Sequence, residues 1–382
     1  MDFSWTDDQV RRYDEAVAFA ERELNTDLAA RDAAGEFRMD HWTKAAAFGV
    51  LGWIIPREYG GHGLDVVTSI RALEGIGYGC RDNGLTLALN GQLWSVQEPL
   101  LAFGTEEQKQ KYMPPMCRGE LIASHGMSEI ESGSDAYSLQ TSAEKVDGGY
   151  VLNGHKIYGG LSPVAGLSLV FAKTNPDAGQ WGISAFLVES GFDGFEASPP
   201  KSKMGLRTGP LGDLFLRDCF VPEENRLGPE GAGVSIFTTS MDWERSFIFA
   251  SHVGSMARQL DACIAFVRER EQFGQSIGNF QSVSNRIAEM KVRLETSRLF
   301  LYKLAWMKGE GKPALQEAAM AKLHIAESFV ANSMDAIRIH GGKGYMSEFE
   351  VERDLRDAIG GVIYSGTSDV QRNIIARTLG AM

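Results

Sequence analysis

Apolar positions recur every three or four residues over roughly 6–120, cluster into short runs to about 228, and then return to helical spacing. Thr6 and Gln9 form a capping-box pair ahead of periodic Val10, Tyr13, Val17 and Ala20, which predicts a helix start. Segments 41–52, 66–79 and 105–113 keep this rhythm, with Pro56 and Gly60-Gly61 as breaks. In the middle, Leu167–Lys173, Ile183–Glu189 and 214–221 read as strands. Asn153-Gly154, between apolar runs 150–152 and 156–158, predicts a hairpin turn. Segments 233–270, 279–308, 314–341 and 367–380 read as helices. The pattern predicts an α+β chain in three units: a helical domain over 1–120, a β domain over 121–228 and a helical domain over 229–382. A β unit of about 100 residues is large enough for a small barrel or sandwich.

Composition narrows the function. The 382 residues carry a net charge of −12 and no basic run, which argues against nonspecific binding to nucleic acid or anionic membrane. Cys80, Cys117, Cys219 and Cys263 form no C-x-x-C, and the seven histidines form no H-x-x-x-H. The thiols read as reduced and buried, and no metal is expected. The N-terminus lacks a signal-peptide pattern and no apolar run reaches membrane-spanning length. A whole, cytoplasmic chain is expected.

Five stretches carry candidate chemistry. Near the C-terminus stands Tyr364-Ser365-Gly366-Thr367-Ser368-Asp369-Val370-Gln371-Arg372. Upstream lie Ser128-Glu129-Ile130-Glu131-Ser132-Gly133-Ser134-Asp135 and Asn153-Gly154-His155-Lys156-Ile157-Tyr158-Gly159-Gly160. Arg270-Glu271-Gln272-Phe273-Gly274 with Phe280-Gln281, and Arg338-Ile339-His340-Gly341-Gly342-Lys343-Gly344-Tyr345, complete the set. Gly/Ser loops let a backbone approach a phosphate closely. In this order the five stretches resemble the motifs of the acyl-CoA dehydrogenase superfamily. The resemblance implies a helical N-domain, a β-barrel or sandwich middle domain, a four-helix-bundle C-domain and FAD as cofactor.

It also implies site residues. Met127, Ser128, Gly133 and Ser134 would meet the flavin and its pyrophosphate. Tyr158 falls where the family has an aromatic residue near the isoalloxazine ring. Gly160 stands where the family has a Thr that hydrogen-bonds flavin N5, so that donor is missing. Arg270 and Gln281 would reach a flavin bound mainly by a neighbouring subunit, and Phe273, Arg338, Gly341 and Gly342 belong to the implied cofactor site, the glycines in a flavin-phosphate loop. Thr367 and Asp369 also belong to the implied cofactor site. Gly159, Ser365 and Gly366 are assigned to the substrate pocket, the glycine at 159 removing bulk beside the ring.

The departure at 365 matters most. In many members that position holds a Glu, the catalytic base, and a serine hydroxyl alone cannot take a proton from carbon. Phe237, Met241, Glu244 and Ile248 share one helical stripe, and a carboxylate on an apolar stripe is costly to bury. Desolvation would move such a group toward the range of a general base. A minority of the family, including isovaleryl-type dehydrogenases, carries its base in the segment matching Asp242-Trp243-Glu244-Arg245. Glu244 is therefore the expected base. Asp242 is expected on another face with a structural or orienting role, and Arg245 as support for the carboxylates. Ser365 is expected only to leave space.

Trp243-Glu244 together with Ser365-Gly366-Thr367-Ser368-Asp369 resembles the branch acting on carrier-tethered groups in natural-product biosynthesis, such as prolyl-carrier-protein dehydrogenases. The resemblance implies an L-prolyl thioester on a peptidyl carrier protein, a partner flavoprotein or oxygen as electron acceptor, and a homotetramer. A basic dock for the carrier is expected around Lys201, Lys203 and Arg207. The alternatives are a short- or branched-chain acyl-CoA dehydrogenase, a dehydrogenase of another carrier-bound group, and a non-redox flavin-binding protein.

Overall fold

The computed structural model describes residues 4–381. The N-terminal helices are α1 (Asp7–Glu23), α2 (Leu28–Ala34), α3 (Met39–Ala47), α4 (Val66–Gly79), α5 (Asn83–Gln92), α6 (Glu98–Phe103) and α7 (Glu106–Cys117). The capping box is formed: Gln9 N–H donates to Thr6 Oγ1 at 3.3 Å, and Thr6 N–H donates to Gln9 Oε1 at 3.1 Å. A five-residue π turn, Leu93–Gln97, joins α5 to α6. Its cause is legible at Pro99, which has no N–H for the Ser95 carbonyl four residues back and crowds it.

The middle strands are β1 (Ala123–Gly126), β2 (Ser142–Val146), β3 (Gly149–Gly160), β4 (Leu167–Lys173), β5 (Ile183–Glu189), β6 (Phe195–Ala197), β7 (Leu211–Pro222) and β8 (Arg226–Leu227). They form one sheet in the order β6-β7-β3-β2-β4-β5-β8, with β1 parallel to β4. Only Ser142 and Lys173 pair β2 with β4, so the sheet folds over at that point. Tyr150, Leu152, Val170, Phe186, Leu214 and Val221 from both halves share one apolar cluster. The sandwich character expected from the sequence is present, whereas the strands do not close into a barrel.

The hairpin expected at Asn153-Gly154 is displaced. The chain turns at Asp147-Gly148, with Gly148 at φ 78°, and β3 runs straight through Asn153-Gly154. There the register against β7 shifts, and a Cβ on Gly154 would lie 2.2 Å from Thr141 Oγ1. Gly154 marks a bulge and a close approach rather than a turn. Asp-Gly was the better hairpin signal.

The C-terminal part holds α8 (Gly233–Phe247), α9 (Ala250–Glu269), a hairpin of β9 (Glu271–Gln272) and β10 (Gln275–Ser276), α10 (Gln281–Gly309), α11 (Leu315–His340), α12 (Gly342–Tyr345), α13 (Val351–Gly361) and α14 (Ser368–Thr378). The expected single helix over 233–270 breaks at Ile248-Phe249, where Phe249 buries its ring against Tyr364, centroids 5.6 Å apart. α13 was not singled out from the sequence, although Val351, Leu355, Ala358 and Ile359 follow helical spacing.

Helices α8 to α11 pack around Phe247, Met256, Leu294, Leu304, Ile325 and Phe329. Trp42, Leu73 and Trp94 of the N-terminal helices belong to the same core. A Cβ on Gly77 of α4 would lie 1.7 Å from the Ser251 carbonyl of α9, so the two helical regions touch backbone to backbone. Among the described residues, no helix is long and apolar enough to cross a membrane. All four cysteines are buried free thiols.

Candidate active site

Three separate stretches meet at Glu244: the π turn, α8 and the loop before α14. Ser95 Oγ donates to Glu244 Oε2 at 2.6 Å, and Ser365 Oγ donates to Glu244 Oε1. Each carboxylate oxygen thus has its own hydroxyl donor. Ser240, one helical turn before Glu244, donates its hydroxyl to the Ser95 carbonyl at 3.0 Å. That donor stands in for the N–H that Pro99 lacks. The stripe is only partly sealed: Met241 and Ile248 are buried, while Phe237 and Glu244 are half-buried.

The loop carrying Ser365 is held in an uncommon backbone. Ser365 lies at φ 57° and Gly366 at φ 82°, in the left-handed region that favours glycine. Gln371, itself buried, donates to the carbonyls of Ser365 (3.2 Å) and Gly366 (2.9 Å). Arg245 Nε reaches the Ser365 carbonyl at 3.4 Å. Sequence reading gave Ser365 no role beyond leaving space; the structure instead aims its hydroxyl at Glu244.

Asp242 points elsewhere, as its position two residues from Glu244 requires. It pairs with Lys308 of α10, whose ammonium lies 5.0 Å from the Trp243 ring centroid. Trp243 stacks on Trp94 at 5.9 Å, binding α8 to the π turn. Arg245 meets the Ser365 backbone rather than a carboxylate. Burial pulls its guanidinium below the usual value, opposed by the charge of Glu244. Behind it, the buried Lys322 donates to the Gly361 carbonyl at 2.8 Å. Burial, then the charge of Arg245, pushes that ammonium down to about 8. Among the described residues, the buried Tyr364 hydroxyl has no hydrogen-bond partner.

The Ser128–Asp135 stretch is fastened to β3 by an ion pair the sequence reading passed over. Lys156 Nζ lies 2.7 Å from Glu129 Oε1, both side chains being almost fully buried. Glu129 also accepts from the N–H groups of Gln140 (2.5 Å) and Thr141 (3.0 Å). Burial raises its carboxyl, but Lys156 and these donors hold it net below its ordinary value. Burial alone drives Lys156 down to about 8. Lys156 further donates to the carbonyl of Met127, and Ile157 N–H to that of Ser128. The signal was present as Glu129 and Lys156 inside the two quoted motifs.

This arrangement leaves an open cradle. Nothing lies within 4 Å of a Cβ placed on Gly133 or Gly160. Tyr158 stands at φ 57° with 64% of its surface exposed, and the Lys201 ammonium lies 5.9 Å from its ring centroid. Ser134 is exposed beside Gly133. Gly159 differs from expectation: a Cβ there would meet Ser162 Oγ at 2.0 Å, so its missing side chain makes way for Ser162 and not for a ligand. Gly366 likewise serves the turn, a Cβ there falling 2.8 Å from Gln371 Nε2.

A second group gathers away from Glu244. Arg270, Phe273, Gly341 and Gly342 line one open cleft with Phe266 and Phe280. Phe273 is 94% exposed, and Gly341 and Gly342 have open space at their Cβ positions. Gln281 begins α10 beside this cleft, and Arg338 pairs with Asp335 at 3.3 Å. Thr367 caps α14 by accepting from Val370 N–H at 3.2 Å, and Asp369 pairs with Arg372 on the surface. The expected basic dock is tied up within its own neighbourhood. Lys201 pairs with Asp213 at 2.9 Å, Lys203 donates to the Gly209 carbonyl, and Arg207 Nε donates to the Lys203 carbonyl at 3.1 Å.

The chain matches three family models: acyl-CoA dehydrogenase N-terminal domain over residues 6–120, middle domain over 124–219 and C-terminal domain over 231–380. It is 41% identical over 382 residues to an L-prolyl-[peptidyl-carrier protein] dehydrogenase of Pseudomonas fluorescens, covering 99% of this chain and 100% of the relative. Among solved structures, it resembles the prolyl acyl carrier protein oxidase AnaB with a TM-score of 0.98 and 48% identity, over 99% of this chain and 100% of that one. PigA with FAD and proline follows at a TM-score of 0.97 and 39% identity, over the full length of both chains.

Proposed function

Because the chain belongs to the acyl-CoA dehydrogenase family, we propose that it is an FAD-dependent α,β-dehydrogenase of an L-prolyl thioester carried on a peptidyl carrier protein. The observation that carries the reading is the paired hydroxyl grip on Glu244. It supports a carboxylate held in one orientation, which a general base requires. The similarity to prolyl-carrier-protein enzymes over the whole chain supports the prolyl group.

The thioester carbonyl acidifies the α-carbon, and Glu244 takes that proton. The β-carbon loses its hydrogen with the electron pair, leaving a double bond between the two carbons. FAD, when bound, supplies the acceptor for that hydride. Gly133, Ser134, Tyr158 and Gly160 would hold it on the β side, the space above the two glycines being open. Arg270, Phe273, Gly341 and Gly342 would meet the flavin of a neighbouring copy, so the enzyme works as an oligomer, a homotetramer in our reading. Arg245 and Gln371 keep Ser365 in place, and Asp242 anchors α8 through Lys308. A cytoplasmic location and a partner flavoprotein or oxygen as acceptor complete the proposal.

The test is anaerobic mixing of the FAD-loaded protein with L-prolyl carrier protein or isovaleryl-CoA, following flavin absorbance. Bleaching by the carrier-bound prolyl group, abolished in Glu244→Gln, is expected. Faster bleaching by isovaleryl-CoA would replace the substrate with a branched acyl-CoA. Undiminished bleaching in Glu244→Gln would reject the base.

A further inference from the structure

The π turn carries a hydroxyl that neither the family resemblance nor the five motifs assign. Ser95 is almost fully buried, and its Oγ lies 2.6 Å from Glu244 Oε2. Three features fix where that hydroxyl points. Pro99 imposes the π turn, which rotates Ser95 out of the ordinary helical register. Ser240 clamps the Ser95 carbonyl from α8, one turn from the carboxylate it serves. Trp94 and Trp243 stack with an interplanar angle of 5°, setting the spacing between the turn and α8.

We propose that Ser95 is a positioning residue for the base. Together with Ser365 it holds the Glu244 carboxylate aimed, while leaving its remaining lone pairs for the substrate proton. A carboxylate oxygen accepts more than one hydrogen bond, so a donor at Oε2 does not block proton uptake. This inference rests on Glu244 being the base.

The experiment measures the rate of anaerobic flavin reduction by L-prolyl carrier protein from pH 5.5 to 9, for the FAD-loaded wild type, Ser95→Ala, Ser95→Thr, Ser365→Ala and Glu244→Gln. Loss of one charge-assisted donor should slow reduction about tenfold. KM should stay close to wild type, because the thioester contacts are untouched. Ser95→Thr, which keeps the hydroxyl, should restore the rate across the range. Ser365→Ala should reproduce the slowing from the other oxygen, again with KM unchanged. An inactive Glu244→Gln with a wild-type profile in Ser95→Ala would overturn the positioning role and leave the base intact. An active Glu244→Gln would overturn both.

Discussion

The hydroxyl of Ser365 donates to Oε1 of Glu244, a residue 121 positions earlier in the chain. The position to which the family resemblance assigns a base therefore touches the base proposed here.

That contact predicts a transplantable base. Glu244→Ser should lower flavin reduction by about 10²–10⁴-fold. Adding Ser365→Glu to it should recover part of that loss, because the new carboxylate enters from the loop that Gln371 and Arg245 already hold. Single-turnover reduction of the double variant checks this. Recovery no better than Glu244→Ser would show that the two positions do not converge.

Breaking the buried Lys156–Glu129 pair should unseat the Ser128–Asp135 stretch. Lys156→Met leaves Glu129 without its cation in a side-chain environment only 8% exposed. The expected cost is about 3–5 kcal/mol in urea unfolding, with reduced FAD retained on purification. Glu129→Gln, which keeps a polar partner, should cost less.

Glu98 sets an alkaline weakness. It is buried, and burial, opposed by the charge of Lys308, pushes its carboxyl up to about 7. The folded state then binds the proton more tightly than the unfolded chain. This stabilisation is complete below the ordinary carboxyl range and is lost as pH rises through about 7. Glu98→Gln should therefore raise stability at pH 8 by on the order of 2–3 kcal/mol and change little at pH 4. Urea titrations at both values test the difference.

His252 gives the opposite limb. It is 1% exposed, and burial lowers it to about 4. A depressed pKa means that the unfolded chain takes the proton first. Its contribution is present above the ordinary histidine range and is lost as pH falls toward 4. His252→Phe should flatten stability between pH 6.5 and 4.5, provided the ring fits between Phe249 and Phe329. An unchanged slope in thermal melts over that range would count against it.

Gly160→Thr tests the open cradle. No atom lies within 4 Å of a Cβ at 160, so stability should stay within about 0.5 kcal/mol. The added hydroxyl should shift the absorption of the bound flavin. A strongly destabilised variant would mean that the space is needed by the protein itself.

The sequence by itself determined the helical, β, helical order, the strands β4 and β5 to the residue, and the candidacy of Glu244. These are local facts: periodicity reports which face is buried, and an acid on an apolar stripe stands out within a few residues. The sequence misplaced the hairpin by reading Asn153-Gly154 without the space around it, where Thr141 forbids a side chain. It assigned Gly159 to the substrate for the same reason, since Ser162 was not yet beside it. Only the tertiary structure decided that Ser95, Ser365 and Glu244 meet, and that Lys156 and Glu129 pair. Those contacts join segments that lie 27 to 149 residues apart. No periodicity extends over such distances, because their partners are chosen by packing of whole elements and not by neighbours along the chain.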